Sequence, residues 1–180
     1  MDLRSLCDAL EKPWSDMMNH LLVLYSIARY APGRKVVEIG VDDGSSTAAL
    51  LLGVAAANGH LTSIDVAPCD RTRQDISGCP FYSRWTFIQG KSAEVAGQID
   101  NDLDVVFIDG DHSYAGTKAD WEAYSKKVKI GGLILFHDAL AYPDVQRVVD
   151  EIPVVAAPEG WWEKVTLPWG YGLTIAKRLQ

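Results

Sequence analysis

The amino-acid sequence predicts an α/β fold, a doubly wound sheet with helices on both faces. Two observations point there. Short, almost wholly apolar runs such as KVVEIG (residues 35–40), LDVVFID (103–109) and GGLILFHD (131–138) recur along the chain, as strands buried on both faces require. Segments of helical periodicity or turn signals alternate with those runs, which is the pattern of parallel strands joined by crossovers.

The elements follow in order. Residues 15–30 place Met17, Met18, Leu21, Leu24, Tyr25 and Ala28 near helical spacing, and Pro32-Gly33 stops that helix. The first strand, 35–40, is followed by a turn and the helix STAALLLGVAAA, which Asn58-Gly59 ends. LTSID (61–65) is the second strand. The Pro-, Gly-, Asp- and Cys-rich stretch from Ala67 to Pro80 reads as a loop with at most a short helix. RWTFIQG (84–90) is the third strand, SAEVAGQI a short helix, and 103–109 the fourth strand. The helix SYAGTKADWEAYSKKV leads to the fifth strand, 131–138, and PDVQRVVDEI is the next helix. The tail from Pro153 is rich in Trp and Pro and ends in the alternating strand YGLTIAKR. Its connection around Leu167-Pro168-Trp169-Gly170 is too short for a helical crossover, so the last two strands form an antiparallel hairpin.

The 180 residues suit one domain, with a helical segment over 1–33, an α/β core over 34–152 and the hairpin over 153–180. A hydrophobic content of 48% excludes a disordered chain, and a net charge of −7 supplies no basic footprint for nucleic acid. Cys7, Cys69 and Cys79 are odd in number and lack C-x-x-C spacing, so reduced thiols in a cytoplasmic protein are expected. No signal peptide is apparent. The longest apolar stretch carries Asn19, His20 and Arg29, too polar for a membrane span.

In such folds ligands bind beyond the carboxyl ends of the strands. The first turn is EIGVDDGSST. Gly40 and Gly44 allow close backbone approach, and Ser45 or Ser46 can open the next helix. The dinucleotide pattern G-x-G-x-x-G fails, because Asp42 and Ser45 stand where it needs glycines, and no P-loop is present. Asp42 and Asp43 would repel a pyrophosphate there. Asp65 ends the second strand, where a carboxylate can accept hydrogen bonds from a ribose diol. Ribose with positive charge and no phosphate describes S-adenosylmethionine.

VVEIGVDDGSSTAALL, LTSID, FIQGKSAE and DVVFIDGDHSY…KIGGLILFHDA together resemble the successive motifs of class I S-adenosylmethionine-dependent methyltransferases. Within that class they look most like small-molecule O-methyltransferases of the sugar and antibiotic-tailoring group and, more distantly, the catechol type. The resemblance covers residues 35 to about 150. It implies a Rossmann-like seven-stranded sheet in the order 3-2-1-4-5-7-6, with the last strand antiparallel. It also implies that Glu38 and Gly40 border the methionine part of the cofactor, Asp65 holds the ribose, and Ser92 with Ala93 lies by the adenine.

The fourth strand stops abruptly in FIDGDHSY, with Asp109, Asp111, His112 and Tyr114 close together, and His137 and Asp138 end the fifth. Neighbouring strands lie ~4.8 Å apart, so Asp109, His137 and Asp138 can converge on a divalent cation. Mg²⁺ prefers oxygen ligands, whereas Mn²⁺ accepts the imidazole more readily. The related metal-dependent enzymes carry an acid–acid or acid–amide pair where this chain has His137 and Asp138. A cation would lower the pKa of an acceptor hydroxyl; without one, His112 or His137 would serve as general base. The expected substrate is a hydroxylated small molecule, whose identity no motif fixes. A chain this short for the family leaves little room for a lid, so a homo-oligomer whose second copy completes the pocket is a further expectation. Two other readings stay open: the same fold with a metal site performing another reaction on a metabolite, and a non-catalytic S-adenosylmethionine-binding partner domain.

Several residues have plainer readings. Asp111 or Ser113 is the N-cap of the following helix, and Tyr114 packs. His20 and His60 are structural. Asp42 and Asp43 form the turn or touch ligand. Trp161, Trp162 and Trp169 could wall an acceptor pocket, although burial is expected for at least two of them. Lys126, Lys127 and Lys129 stabilise a helix dipole.

Overall fold

Helices and strands alternate through residues 17–154 and 160–180, which the computed structural model describes. The elements are α1 (Met18–Tyr30), β1 (Lys35–Ile39), α2 (Ser45–Ala56), β2 (His60–Asp65), α3 (Asp70–Ser77) and β3 (Trp85–Gln89). They continue with α4 (Ser92–Val95), β4 (Leu103–Ile108), α5 (Tyr114–Tyr124), β5 (Val128–His137), α6 (Pro143–Asp150), β6 (Trp162–Leu167) and β7 (Leu173–Arg178).

The strands form one seven-stranded sheet in the order β3-β2-β1-β4-β5-β7-β6. The pairs β1–β2, β1–β4, β2–β3 and β4–β5 are parallel. β7 is antiparallel to both β5 and β6, as the short 168–172 connection requires. The order reverses between β1 and β4, and a crevice opens there beyond the strand ends.

Successive strand residues point to opposite faces, so each strand serves two cores. Val37 and Ile39 of β1, Ile108 of β4 and Phe136 of β5 pack with Tyr124 of α5 and Val148 of α6. On the other face Val36, Phe107 and Leu135 pack with Leu24 of α1 and Leu50 of α2. Burying each such leucine contributes roughly 1.5–3 kcal/mol. At the opposite end of the sheet from the crevice, Asp104 is 1% exposed. Its carboxylate accepts from the Gly33 and Lys35 amides at 2.7 and 2.8 Å and pairs with Lys129. It ties the approach to β1 onto β4.

The structure refines several expectations. Within the 67–80 stretch only residues 67–69 stay a turn before α3, which takes up 70–77. β5 begins at Val128 rather than Gly131, with a register irregularity opposite Leu103 and Val105. Of the tail tryptophans, Trp162 is buried against Trp121, but Trp169 is 57% exposed, so burial does not extend to two fully enclosed rings. Lys127 donates to the Ile99 carbonyl at 2.9 Å, which, with the Lys129 pair, makes these lysines tethers between elements rather than mere dipole partners. The expected start of the first helix at residues 15–16 lies outside the described residues. Among the described residues, no helix is long and apolar enough to cross a membrane.

Candidate functional site

A cavity of about 960 Å³ opens at the carboxyl ends of β1, β2, β4 and β5. Its wall carries Asp42, Asp65, Asp109, Asp111, Asp120 and Asp138 against a single lysine, Lys91. Such a lining favours a ligand bearing positive charge and repels one bearing several phosphates.

The first turn is set by backbone geometry. Gly40 has φ +90°, and an added Cβ would lie 2.0 Å from the Asp109 carbonyl oxygen. Only glycine lets the ends of β1 and β4 come this close, and the Asp109 amide donates to Ile39 O at 2.8 Å. Asp65 closes the turn from β2. Its Oδ2 accepts from the amides of Val41 and Asp42 at 2.7 and 3.3 Å, and its Oδ1 from Ala67 at 2.8 Å.

Three of the predicted cofactor residues do not line the cavity. Glu38 is fully buried beneath the turn, where Ser46, Thr47 and Ser63 donate to its carboxylate at 2.6, 2.8 and 2.6 Å. Burial pushes the Glu38 carboxyl up to about 7 against the opposing pull of those hydroxyls. Gly44 has φ +82° and packs on Thr72, while the Ser45 hydroxyl donates to Asp43 Oδ2 at 3.1 Å. These residues shape the turn from behind. Gly40, Asp42, Asp65, Ser92 and Ala93 do face the cavity. Cys69 faces it too, but burial and the nearby Asp65 push its thiol up to about 11, so it stays protonated.

Asp109, His137 and Asp138 come together on one wall. One ligand atom from each lies within 4.8 Å of the others. Adjacent strand residues ordinarily face opposite ways. Asp138 adopts φ +59°, which turns its carboxylate back beside its neighbour. His137 Nδ1 thus lies 2.9 Å from Asp138 Oδ1 and 3.4 Å from Asp109 Oδ1. His112 joins from the loop after β4, its Nε2 2.9 Å from Asp138 Oδ2 and 3.5 Å from Asp109 Oδ1. The His112 ring stacks on Tyr142, centroids 4.3 Å apart.

These contacts decide the charges. Burial opposes a charged His137, but the close carboxylates of Asp109 and Asp138 outweigh it and lift the imidazole to about 9. Burial likewise works against the Asp109 anion, and the two imidazoles of His112 and His137 beside it overcome that, holding the carboxyl below its usual range. The nearby Asp109 carboxylate raises His112. Two carboxylates and two imidazoles therefore share one wall of the cavity. Carboxylate oxygens and imidazole nitrogen are also a donor set that fits a divalent cation.

The fourth-strand loop answers the capping question. Ser113 is the N-cap of α5, accepting from the Gly116 amide at 3.1 Å, while Asp111 Oδ1 accepts from the Ser113 amide at 2.8 Å. Tyr114 stacks under Arg147, whose guanidinium carbon is 4.0 Å from the ring centroid, and donates to Glu151. It does not face the cavity.

His20 is the residue that sequence reasoning missed. It is fully buried in α1, and its Nδ1 lies 3.1 Å from His137 Nε2. The signal was present: His20 follows Met17 by three residues and precedes Leu24 by four, which puts an imidazole on the apolar stripe. His60, by contrast, bonds Thr86 at 2.9 Å on the surface, away from the site.

A family model described as a methyltransferase domain matches residues 37–139, more than half of the chain. A 55-residue segment is 42% identical to an uncharacterized protein of Acanthamoeba polyphaga mimivirus, covering 29% of this chain and 25% of that protein. The match thus spans about a quarter of that curated relative. Three solved structures share the fold. The SAH-bound methyltransferase of Podospora anserina gives a TM-score of 0.78 at 14% identity, over 99% of this chain and 88% of that one. The O-methyltransferase of Bacillus cereus in complex with SAH gives 0.75 at 17% identity, over 99% and 90%. The O-methyltransferase TomG of Streptomyces achromogenes, involved in tomaymycin synthesis and solved with SAM, gives 0.74 at 15% identity, over 99% and 89%.

Proposed function

We propose, starting from a chain that belongs to the methyltransferase domain family, that it transfers the methyl group of S-adenosylmethionine to a hydroxyl of a small molecule beside a divalent cation. The observation that carries this reading is the convergence of Asp109, His137 and Asp138 on the wall of an aspartate-rich cavity. Neighbours of the same fold bound to SAM or SAH support it.

When bound, S-adenosylmethionine supplies a methyl group already activated on sulfonium. Gly40, Asp42 and Asp65 would border its amino-acid and ribose parts, and Ser92 with Ala93 its base. The negative wall favours the sulfonium cation over phosphorylated nucleotides. Asp109, His137 and Asp138 would hold Mg²⁺ or Mn²⁺, which when bound lowers the pKa of a coordinated hydroxyl. The imidazole ligand tilts the choice toward Mn²⁺.

His112 is placed to take the acceptor's proton. It is partly exposed at the cavity wall, and Asp109 and Asp138 stabilise the imidazolium it would become. His137 suits that role less well: raised to about 9, it already holds its proton at neutral pH when no cation is bound.

Labelled methyl transfer from S-adenosylmethionine to a panel of phenolic, sugar and alcohol acceptors tests the reading. Turnover that is lost with chelator and restored by Mn²⁺ or Mg²⁺ is expected. Chelator-insensitive turnover would remove the cation and leave His112 as the base. Cofactor binding with no turnover on any acceptor would favour a non-catalytic binding domain.

A further inference from the structure

The buried imidazole of His20 meets that of His137 edge to face, with ring centroids 5.1 Å apart at 81° and Nδ1 of the first 3.1 Å from Nε2 of the second. The fold produces this meeting. Leu135 and His137, two residues apart on β5, point to the same face of the sheet. Leu24 and His20, four residues apart on α1, lie one turn from each other on the same side of the helix. Leu135 and Leu24 share the apolar core on that face. One step nearer the crevice, the same two elements present a pair of histidines instead. A polar pair in such a place is costlier than leucines unless its hydrogen bond serves something.

The His137 ring has two working ends. Nδ1 faces the carboxylates of Asp138 and Asp109 at 2.9 and 3.4 Å, and Nε2 faces His20. Phe107 packs against the ring at a centroid distance of 6.3 Å and accepts no conventional hydrogen bond. A neutral imidazole carries one proton. For Nδ1 to give its lone pair to a cation, that proton must sit on Nε2, where His20 Nδ1 is within reach to accept it. Were His20 the donor, the proton of His137 would sit on Nδ1 and close that atom to a cation.

We propose that His20 is a positioning residue for the cation site. By accepting from His137 Nε2–H, it fixes the tautomer and ring angle that present Nδ1 beside Asp109 and Asp138. Histidine ligands are commonly oriented by a carboxylate, a backbone carbonyl or a water; here a neutral imidazole does so and adds no further negative charge. The inference rests on the reading of Asp109, His137 and Asp138 as cation ligands.

The test is calorimetric titration with Mn²⁺ and, separately, with S-adenosylhomocysteine, on the native protein and on variants of His20. His20→Leu fills the space but cannot accept a hydrogen bond. It should weaken Mn²⁺ binding by about tenfold or more, the usual effect of losing the partner that orients a metal-binding histidine, and leave S-adenosylhomocysteine binding unchanged. His20→Asn sets an amide oxygen near the place of Nδ1 and should recover most of the loss. His20→Gln, whose amide reaches the place of Nε2 instead, should not. If His20→Leu does not fold, the comparison of Asn with Gln still decides. Unchanged Mn²⁺ affinity in His20→Leu, equal weakening of both ligands, or Asn binding Mn²⁺ no better than Gln would each make His20 a core residue and overturn the inference. If the native protein binds no Mn²⁺, the cation reading itself falls and takes this inference with it.

Discussion

At the scale of single residues, buried acids divide the molecule's chemistry. Glu38 lies in β1 and Asp109 just past the end of the neighbouring β4, two register positions further along, yet their partners differ. Glu38 receives three hydroxyls and Asp109 two imidazoles. The Glu38 carboxyl holds its proton more tightly in the folded chain, with a pKa near 7 against an ordinary 4.5. Between those values the native state binds more protons than the unfolded one, so stability falls as pH rises through the window. The loss approaches about 3 kcal/mol. Denaturant unfolding from below pH 4.5 to above pH 7 should show that slope, and Glu38→Gln should flatten it. An equal slope in the variant would assign the effect to another group. At the strand ends, Asp138→Asn should abolish the thermal shift given by Mn²⁺ while sparing the one given by S-adenosylmethionine. A Mn²⁺ shift that survives in this variant would place the cation elsewhere. Asp109, His137 and Asp138 were legible in the sequence because ionisable groups ending apolar runs stand out. His20 was not, since a histidine on an apolar helical stripe reads as core until the fold brings it to His137.

At the scale of elements, what could be read depended on how far pattern reports packing. The strands were legible because burial on both faces leaves continuous apolar runs. Their ends were less so. Gly131-Gly132 resembles a strand start, but the backbone is already paired from Val128, and Gly132 fits against the Leu103 and Asp104 carbonyls, where a Cβ would lie 3.0 Å away. Likewise α3 has few buried residues, only Thr72 and Ile76, so its apolar signal is faint. Two changes test the elements. Ser113→Ala removes the α5 cap and should cost about 1 kcal/mol in denaturant unfolding, with Ser113→Asp restoring most of it. No loss would mean that Asp111 caps instead. Gly40→Ala meets both a left-handed φ and the Asp109 carbonyl. It should destabilise by roughly 3 kcal/mol or more and weaken cofactor binding together. A stable variant that binds normally would show that the two strand ends can part without consequence.

For the whole molecule, the sheet order puts the reversal point, the glycine turn and the His–Asp pair around one cavity. The class of fold followed from alternation, while the strand order followed from resemblance to a known family and is what the coordinates display. The acceptor was not legible at either stage, because its pocket depends on side chains from distant segments and not on a motif. The central claim is that this acidic cavity takes a sulfonium nucleoside. Thermal unfolding of the native protein with S-adenosylmethionine at about 100 times its dissociation constant tests it most directly. Binding to the folded state alone adds about 2.7 kcal/mol, a rise of roughly 5 °C or more for a chain this size. A melting temperature unmoved by S-adenosylmethionine at any concentration, with or without Mn²⁺, would contradict the account.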